Sequence, residues 1–401
     1  MKLVVRYRCG ECRARAGLLY LGNRSHVLET PCLLLCTRKG LPTFIPPDLL
    51  PSIHPDALAL HASPLHFFDS PSAKTLASAG GLHKLISLPG YTVAAIARDF
   101  VCIAEHGSSN KIGASFQTPF GRRTVKPVDY MDVINAMQPD IWASLPDEVP
   151  SWVTHKRNKQ SVERTLNWLD SCISLKKDGM ESGLGCIVGG NSVEERGFCA
   201  QEVAKRDVSG FCLSGFGLGE SAEERGLLLE AIMKNLPDEK ARQISGLDLP
   251  EEVLQAVSAG IDVFDSTYPH SLTMSGLAMV FPLDMEECLS GRTSENANDV
   301  GSDFTKINLR AVAYRNDTSP ILESCRCYTC SKHTKAYINH LLNTHEMLAQ
   351  TLLDIHNTHH YMNFFQAIRN AIQGGYFADF KAWFASRRQA VNEGILVSSA
   401  A

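Results

Sequence analysis

No apolar run in this 401-residue sequence approaches the roughly 20 residues needed to span a bilayer. The N-terminus, MKLVVRYRCGECRAR, reaches arginines after a brief apolar start, so it offers no secretory h-region. Neither G-x-G-x-x-G nor G-x-x-x-x-G-K-[ST] opens a strand-to-helix turn, which removes the main support for a nucleotide-binding open sheet. There is no internal repeat. Excess positive charge is also missing: 39 Lys and Arg face 43 Asp and Glu, a net charge of −4. DNA is therefore not an expected partner, and any RNA would be attracted by local basic patches or by a second subunit.

The apolar content of 44% and charged content of 20% are those of a globular chain with a large core. Most of the thirteen cysteines are scattered through apolar contexts such as PCLLLC and SGFCLSGF. That usage suits reduced thiols and a cytoplasmic location. Cys9 and Cys12 form a lone C-x-x-C with strand-like flanks, which reads as structural.

From about Leu18 to Val280, short apolar runs alternate with amphipathic stretches. DIWASLPDEVP, LGCIVGG, VSGFCLSGFG, ARQISGL and GIDVFDSTYP each read as a buried strand ending in turn-forming or acidic residues. SVERTLNWLDSCISL, SVEERGFCAQEVAKR, SAEERGLLLEAIMKNL and LPEEVLQAVSAG lie between them and read as helices, several opening with serine and early glutamate. This alternation predicts an α/β fold, a (β/α)₈ TIM-type barrel. The expected division is an irregular barrel over 1–285, a polar surface loop over 286–303, and a zinc-binding subdomain with closing helices over 304–392.

Cys325, Cys327 and Cys330, at C-x-C-x-x-C spacing, bring three thiols within reach of one ion. A closed S₃N zinc site needs one histidine more. His333, His340, His345, His356, His359 and His360 are all candidates, and spacing does not choose among them. With four protein ligands the ion would be structural, since a catalytic zinc keeps an open position. AYINHLLNTHEMLAQTLL reads as one helix with apolar residues facing two sides.

At these residues the sequence resembles the tRNA-guanine transglycosylases, also called queuine tRNA-ribosyltransferases. The run INLRAVAYRNDTSPILESCRCYTCSKHTKAYINHLL is similar to the family's zinc region, and the resemblance implies His356, in DIHNTHHYMNFF, as the fourth ligand. LETPCLLLCTRKG, SGFGLGE and GIDVFDSTYP resemble further family segments, so the likeness covers most of the chain. Asp265 in the last corresponds to the family nucleophile, a carboxylate that attacks ribose C1′ and forms a covalent intermediate. The family fold is also a (β/α)₈ barrel with a zinc subdomain.

Much of the family's chemistry has no counterpart. D-S-G-G-F-Q, whose aspartate handles protons, is absent, and its aspartate aligns with Ala95, between Ala94 and Ile96. The base-reading Q-G-G becomes Val188-Gly189-Gly190, and G-G-L becomes Gly215-Phe216-Gly217. The paired aspartates become Pro146 and Asp147, and the run after the nucleophile, PHSLTMSG, contains no arginine.

These losses beside a retained zinc motif resemble a non-catalytic accessory subunit. The expectation is support of guanine-to-queuine exchange at the wobble position of tRNAs with GUN anticodons, in a heterodimer with a catalytic subunit. tRNA would be met through the complex, and homodimer formation stands beside it. Asp265 is expected to be an inactive relic, and Val188–Gly190 with Gly215–Gly217 a vestigial base pocket. The alternatives are a self-sufficient transglycosylase using Asp265 with Asp69 or Asp147 as proton carrier, and a stand-alone queuine- or RNA-binding module. Peripheral placement on the mitochondrial outer membrane is implied by the resemblance alone.

Overall fold

The computed structural model describes residues 1–22, 26–99, 103–104, 109–118, 121–284 and 305–398, with backbone alone at 103–104 and 388–398. The polar segment expected at 286–303 lies outside the described residues. Contacts divide the chain into two compact units. The first comprises Met1–Pro42 and Leu58–Ser266, and the second Thr43–Ala57 and Thr267–Ala401. By this measure the division falls nearer Ser266 than the 285 drawn from composition, and the second unit also takes an early segment of the chain.

Eight parallel strands close a barrel in the first unit: β1 (Cys32–Cys36), β2 (Ala59–His61), β3 (Thr92–Ala95), β4 (Ile141–Ala143), β5 (Gly183–Ile187), β6 (Gly210–Leu213), β7 (Ala241–Ser245) and β8 (Val263–Ser266). They neighbour one another in chain order, and β8 returns to β1 with Val263 opposite Cys32. Every residue of β5 to β8 is buried, as parallel strands covered on both faces should be. Leu34, Ala94, Ile141, Leu184, Cys212 and Val263 belong to one apolar cluster with Leu3, Leu19 and Leu28 of an N-terminal antiparallel sheet. That sheet closes one end of the barrel. Arg15 locks it there through a buried pair with Asp262, at 2.8 and 2.7 Å.

Helices α1 (Pro127–Met137), α2 (His155–Leu175), α3 (Val193–Ala204), α4 (Ala222–Met233) and α5 (Pro250–Ala259) precede strands β4 to β8 in turn. Two of the expected serine caps form, while Ser161 lies inside α2, which Thr154 caps. Ser192 accepts from the Glu195 amide at 3.2 Å, and Ser221 with Glu224 makes a reciprocal capping box.

The second unit holds α6 (Tyr268–Ser275), a two-stranded antiparallel sheet of Leu277–Met279 and Lys306–Asn308, α7 (Tyr328–Lys332), α8 (Lys335–Asn343), α9 (Met347–Gln373) and α10 (Phe377–Ser398). The single helix expected across AYINHLLNTHEMLAQTLL is two helices. The chain turns at Thr344–Glu346, where His345 takes φ 60°, and α9 begins at Met347. The apolar periodicity simply continued across that turn. Helix α9 buries residues all round its axis, among them Leu352, Ile355, His356, His360, Phe364 and Phe365, which marks it as the central element of its unit.

Candidate functional site

The metal group is built from one short helix and one long one. Cys327 caps α7, its Sγ accepting from the Cys330 amide at 3.3 Å, which turns Cys325, Cys327 and Cys330 toward a common point. His356 on α9 faces that point. Its Nδ1 lies 3.7, 3.6 and 3.3 Å from the sulfurs of Cys325, Cys327 and Cys330, and the four ligand atoms lie within 4.8 Å of one another. Nitrogen and sulfur ligands on one tetrahedral zinc would stand about 3.6 Å apart.

The outer contacts of His356 fit the same purpose. Its Nε2 donates to the Met279 carbonyl at 2.8 Å, which leaves the Nδ1 lone pair for a metal. Asn357 grips the same strand, accepting from the Met279 amide at 2.9 Å and donating to the Leu277 carbonyl at 3.0 Å. Burial favours a neutral ring, but the hydrogen bonds to Cys325 and Cys327 raise the His356 pKa to about 10. Hydrogen bonds with Cys327 and Cys330 hold the Cys325 thiol far below its ordinary value, while hydrogen bonds with Cys325 and Cys327 push Cys330 far above. Four converging donors compete for protons in this way, and a bound cation would displace them. The group can hold a metal ion.

The other candidate histidines are engaged elsewhere or exposed. His359 Nδ1 donates to the Ile53 carbonyl at 2.6 Å, and His360 Nε2 to the Phe281 carbonyl at 2.9 Å. His333 stacks on Tyr337 with centroids 5.4 Å apart, while His340 and His345 are exposed.

Asp265 sits at the C-terminal end of β8, the end where barrels of this type carry their sites. It is buried, and Ser245 Oγ on neighbouring β7 donates to its Oδ2 at 2.9 Å, while Oδ1 has no hydrogen-bond partner. Burial raises the Asp265 carboxyl to about 6, against the lowering influence of His61, the Ser245 hydrogen bond and Arg98. Ala95, at the position aligned with the proton-handling aspartate, is fully buried on β3, as are Ala94 and Ile96 beside it.

The two relocated carriers are both paired with arginine. Asp147 takes a two-pronged contact from Arg157, at 2.7 and 2.8 Å, and a third from Arg164 at 3.1 Å. Asp69 is 44% exposed and pairs with Arg123 at 3.1 Å.

The two loops expected to form the pocket meet around a buried cation that no local pattern singles out. Arg196 of α3, 1% exposed, donates from Nε to the Gly190 carbonyl at 3.0 Å. Its other nitrogens reach the Ser214 and Gly215 carbonyls at 2.6 and 3.0 Å. The guanidinium lies 4.2 Å from the centroid of the fully buried Phe216 ring, and Val188 is buried as well. Gly217 is required by a close approach, since a Cβ there would stand 2.0 Å from the Gly246 carbonyl. Arg98 donates to the Phe216 carbonyl at 2.7 Å, and Glu148 accepts from the Gly215 amide at 2.7 Å. Side chains of the protein itself thus occupy the space between these loops.

A family model described as Queuine tRNA-ribosyltransferase matches residues 9–390. The chain belongs to the queuine tRNA-ribosyltransferase family. Within that family it is similar to proteins named queuine tRNA-ribosyltransferase accessory subunit 2. The Ixodes scapularis protein is 32% identical, over 88% of this chain and 91% of the relative. That of Danio rerio is 33% identical, over 91% and 94%, and that of Homo sapiens 32% identical, over 89% and 92%. In this member of the queuine tRNA-ribosyltransferase family, the closed barrel and the Cys₃His group are present.

Proposed function

We propose that this chain is the non-catalytic accessory subunit of a heterodimeric queuine tRNA-ribosyltransferase. It would support exchange of guanine for queuine at the wobble position of tRNAs with GUN anticodons, in the cytoplasm. The observation that carries the reading is the filled base pocket. Phe216 is buried beneath Arg196, and Asp69 and Asp147 are both held by arginines. A nucleophile helps only when a base is held against it and protons can move.

Zinc is the ion this donor set favours, with Cys325, Cys327, Cys330 and His356 as ligands and Met279 orienting the imidazole. Bound there, it would pin α7 to α9 and shape the surface that meets the catalytic subunit. Exposed apolar and aromatic residues support that face: Tyr328 and Tyr337 flank His333, and Met347 and Leu348 open α9. Large exposed hydrophobics of this kind mark interaction surfaces.

One observation keeps a second reading in view. Asp265 retains a buried, partnerless Oδ1 and a pKa near neutrality, as a working carboxylate would. Labelled queuine incorporation into cognate tRNA separates the two. Incorporation with this chain and the catalytic subunit together, and with neither alone, is the expected result. Incorporation by this chain alone would favour the self-sufficient enzyme.

A further inference from the structure

Trp152 is 71% exposed, the third-highest value among the large hydrophobic residues described as exposed, although tryptophan is highly buried on average. Its position is fixed. A Cβ added at Gly219 would stand 2.8 Å from Cζ3 of the Trp152 ring, so the ring lies against that glycine. The Ser151 amide donates to the Leu218 carbonyl at 3.1 Å and fastens the two loops together. These loops follow β4 and β6, at the same end of the barrel as Asp265.

The segment that carries the ring is basic. From Val149 to Val162 there is no acidic residue, Lys156 and Lys159 are exposed, and the exposed His155 lies 4.0 Å from Glu195. Three acids on these loops are engaged: Asp147 with Arg157 and Arg164, Glu148 with the Gly215 amide, and Glu220 with the Gly217 and Leu218 amides, while Glu163, just past the basic run, is exposed. In a chain of net charge −4, this segment is locally positive and carries an exposed aromatic ring.

We propose that Trp152, Lys156 and Lys159 form an RNA-docking face, where the indole stacks on an unpaired base and the ammonium groups meet the flanking phosphates. An aromatic ring among cations is the arrangement that holds single-stranded nucleic acid without reading its sequence. The proposal rests on the accessory reading above, and it names which surface of this subunit meets the tRNA.

The test uses the heterodimer with the catalytic subunit and measures tRNA affinity across a salt series. Replacing two phosphate contacts in Lys156→Glu/Lys159→Glu should lower affinity at least about tenfold and cut the slope of log affinity against log salt by about 1.5. Trp152→Ala should lower affinity by a similar factor and leave the slope unchanged. Unaltered affinity and slope in an intact heterodimer would overturn the docking face and leave the accessory reading standing. Variants that release the catalytic subunit would overturn it too, by assigning the face to a protein. Failure of the wild-type chain to pair overturns the accessory reading instead, and the same titration on the chain alone then decides the docking face.

Discussion

Asp265 sits at the C-terminal end of β8, where Ser245 donates to its carboxylate. Its carboxyl is buried, raised to about 6 from an ordinary 3.8, and that rise has a sign in stability. Below about pH 4 the folded and unfolded states both hold the proton, and burial costs nothing extra. As the pH climbs through about 6 the unfolded chain has already ionised, the folded carboxyl resists, and stability is lost. The penalty then stays constant, with a ceiling of about 3 kcal/mol. Asp265→Asn should therefore stabilise the protein against urea at pH 7.5 by up to that amount, with the gain vanishing as pH falls toward 4. A gain independent of pH, or none, would show that the carboxylate is not desolvated. Asp265 was legible in GIDVFDSTYP, whereas Arg98 and Arg196 were not. A buried arginine that satisfies carbonyls of two distant loops leaves no local pattern, because its partners are backbone atoms brought near by folding.

The candidate metal group joins two elements, the α7 turn and the α9 helix. Three ligands were readable from spacing because they share one turn. Spacing left the fourth open among several histidines; the family resemblance pointed to His356, and tertiary packing brings it to the thiols. The break before α9 was equally hidden, because Thr344–Glu346 carries neither Gly nor Pro. Metal binding to such a site is folding free energy, on the order of 10 kcal/mol in small zinc modules. Cys330→Ser should reduce zinc from one ion per chain to near zero by elemental analysis, and open residues 305–398 to limited proteolysis. Full protection in a zinc-free Cys330→Ser protein would make the thiols ordinary core cysteines. At the barrel, by contrast, five strands and four helices were plain in the sequence. Each spans one short buried run or one capped amphipathic run, so local chemistry alone specified them.

Over the whole molecule, the barrel is closed and the space between two of its loops is filled by its own side chains. Arg196 and Phe216 fill the space between the β5 and β6 loops, and Ala95 stands at the position aligned with a proton carrier. The central claim is that covalent chemistry on tRNA takes place on another chain. Incubating the heterodimer with end-labelled tRNA, quenching in denaturant and separating the subunits on a gel would show which polypeptide carries the label. Label on the catalytic subunit alone, unchanged when Asp265→Ala replaces the wild-type chain, is the expected result. Label on this chain, lost with Asp265→Ala, would contradict it and make Asp265 a working nucleophile.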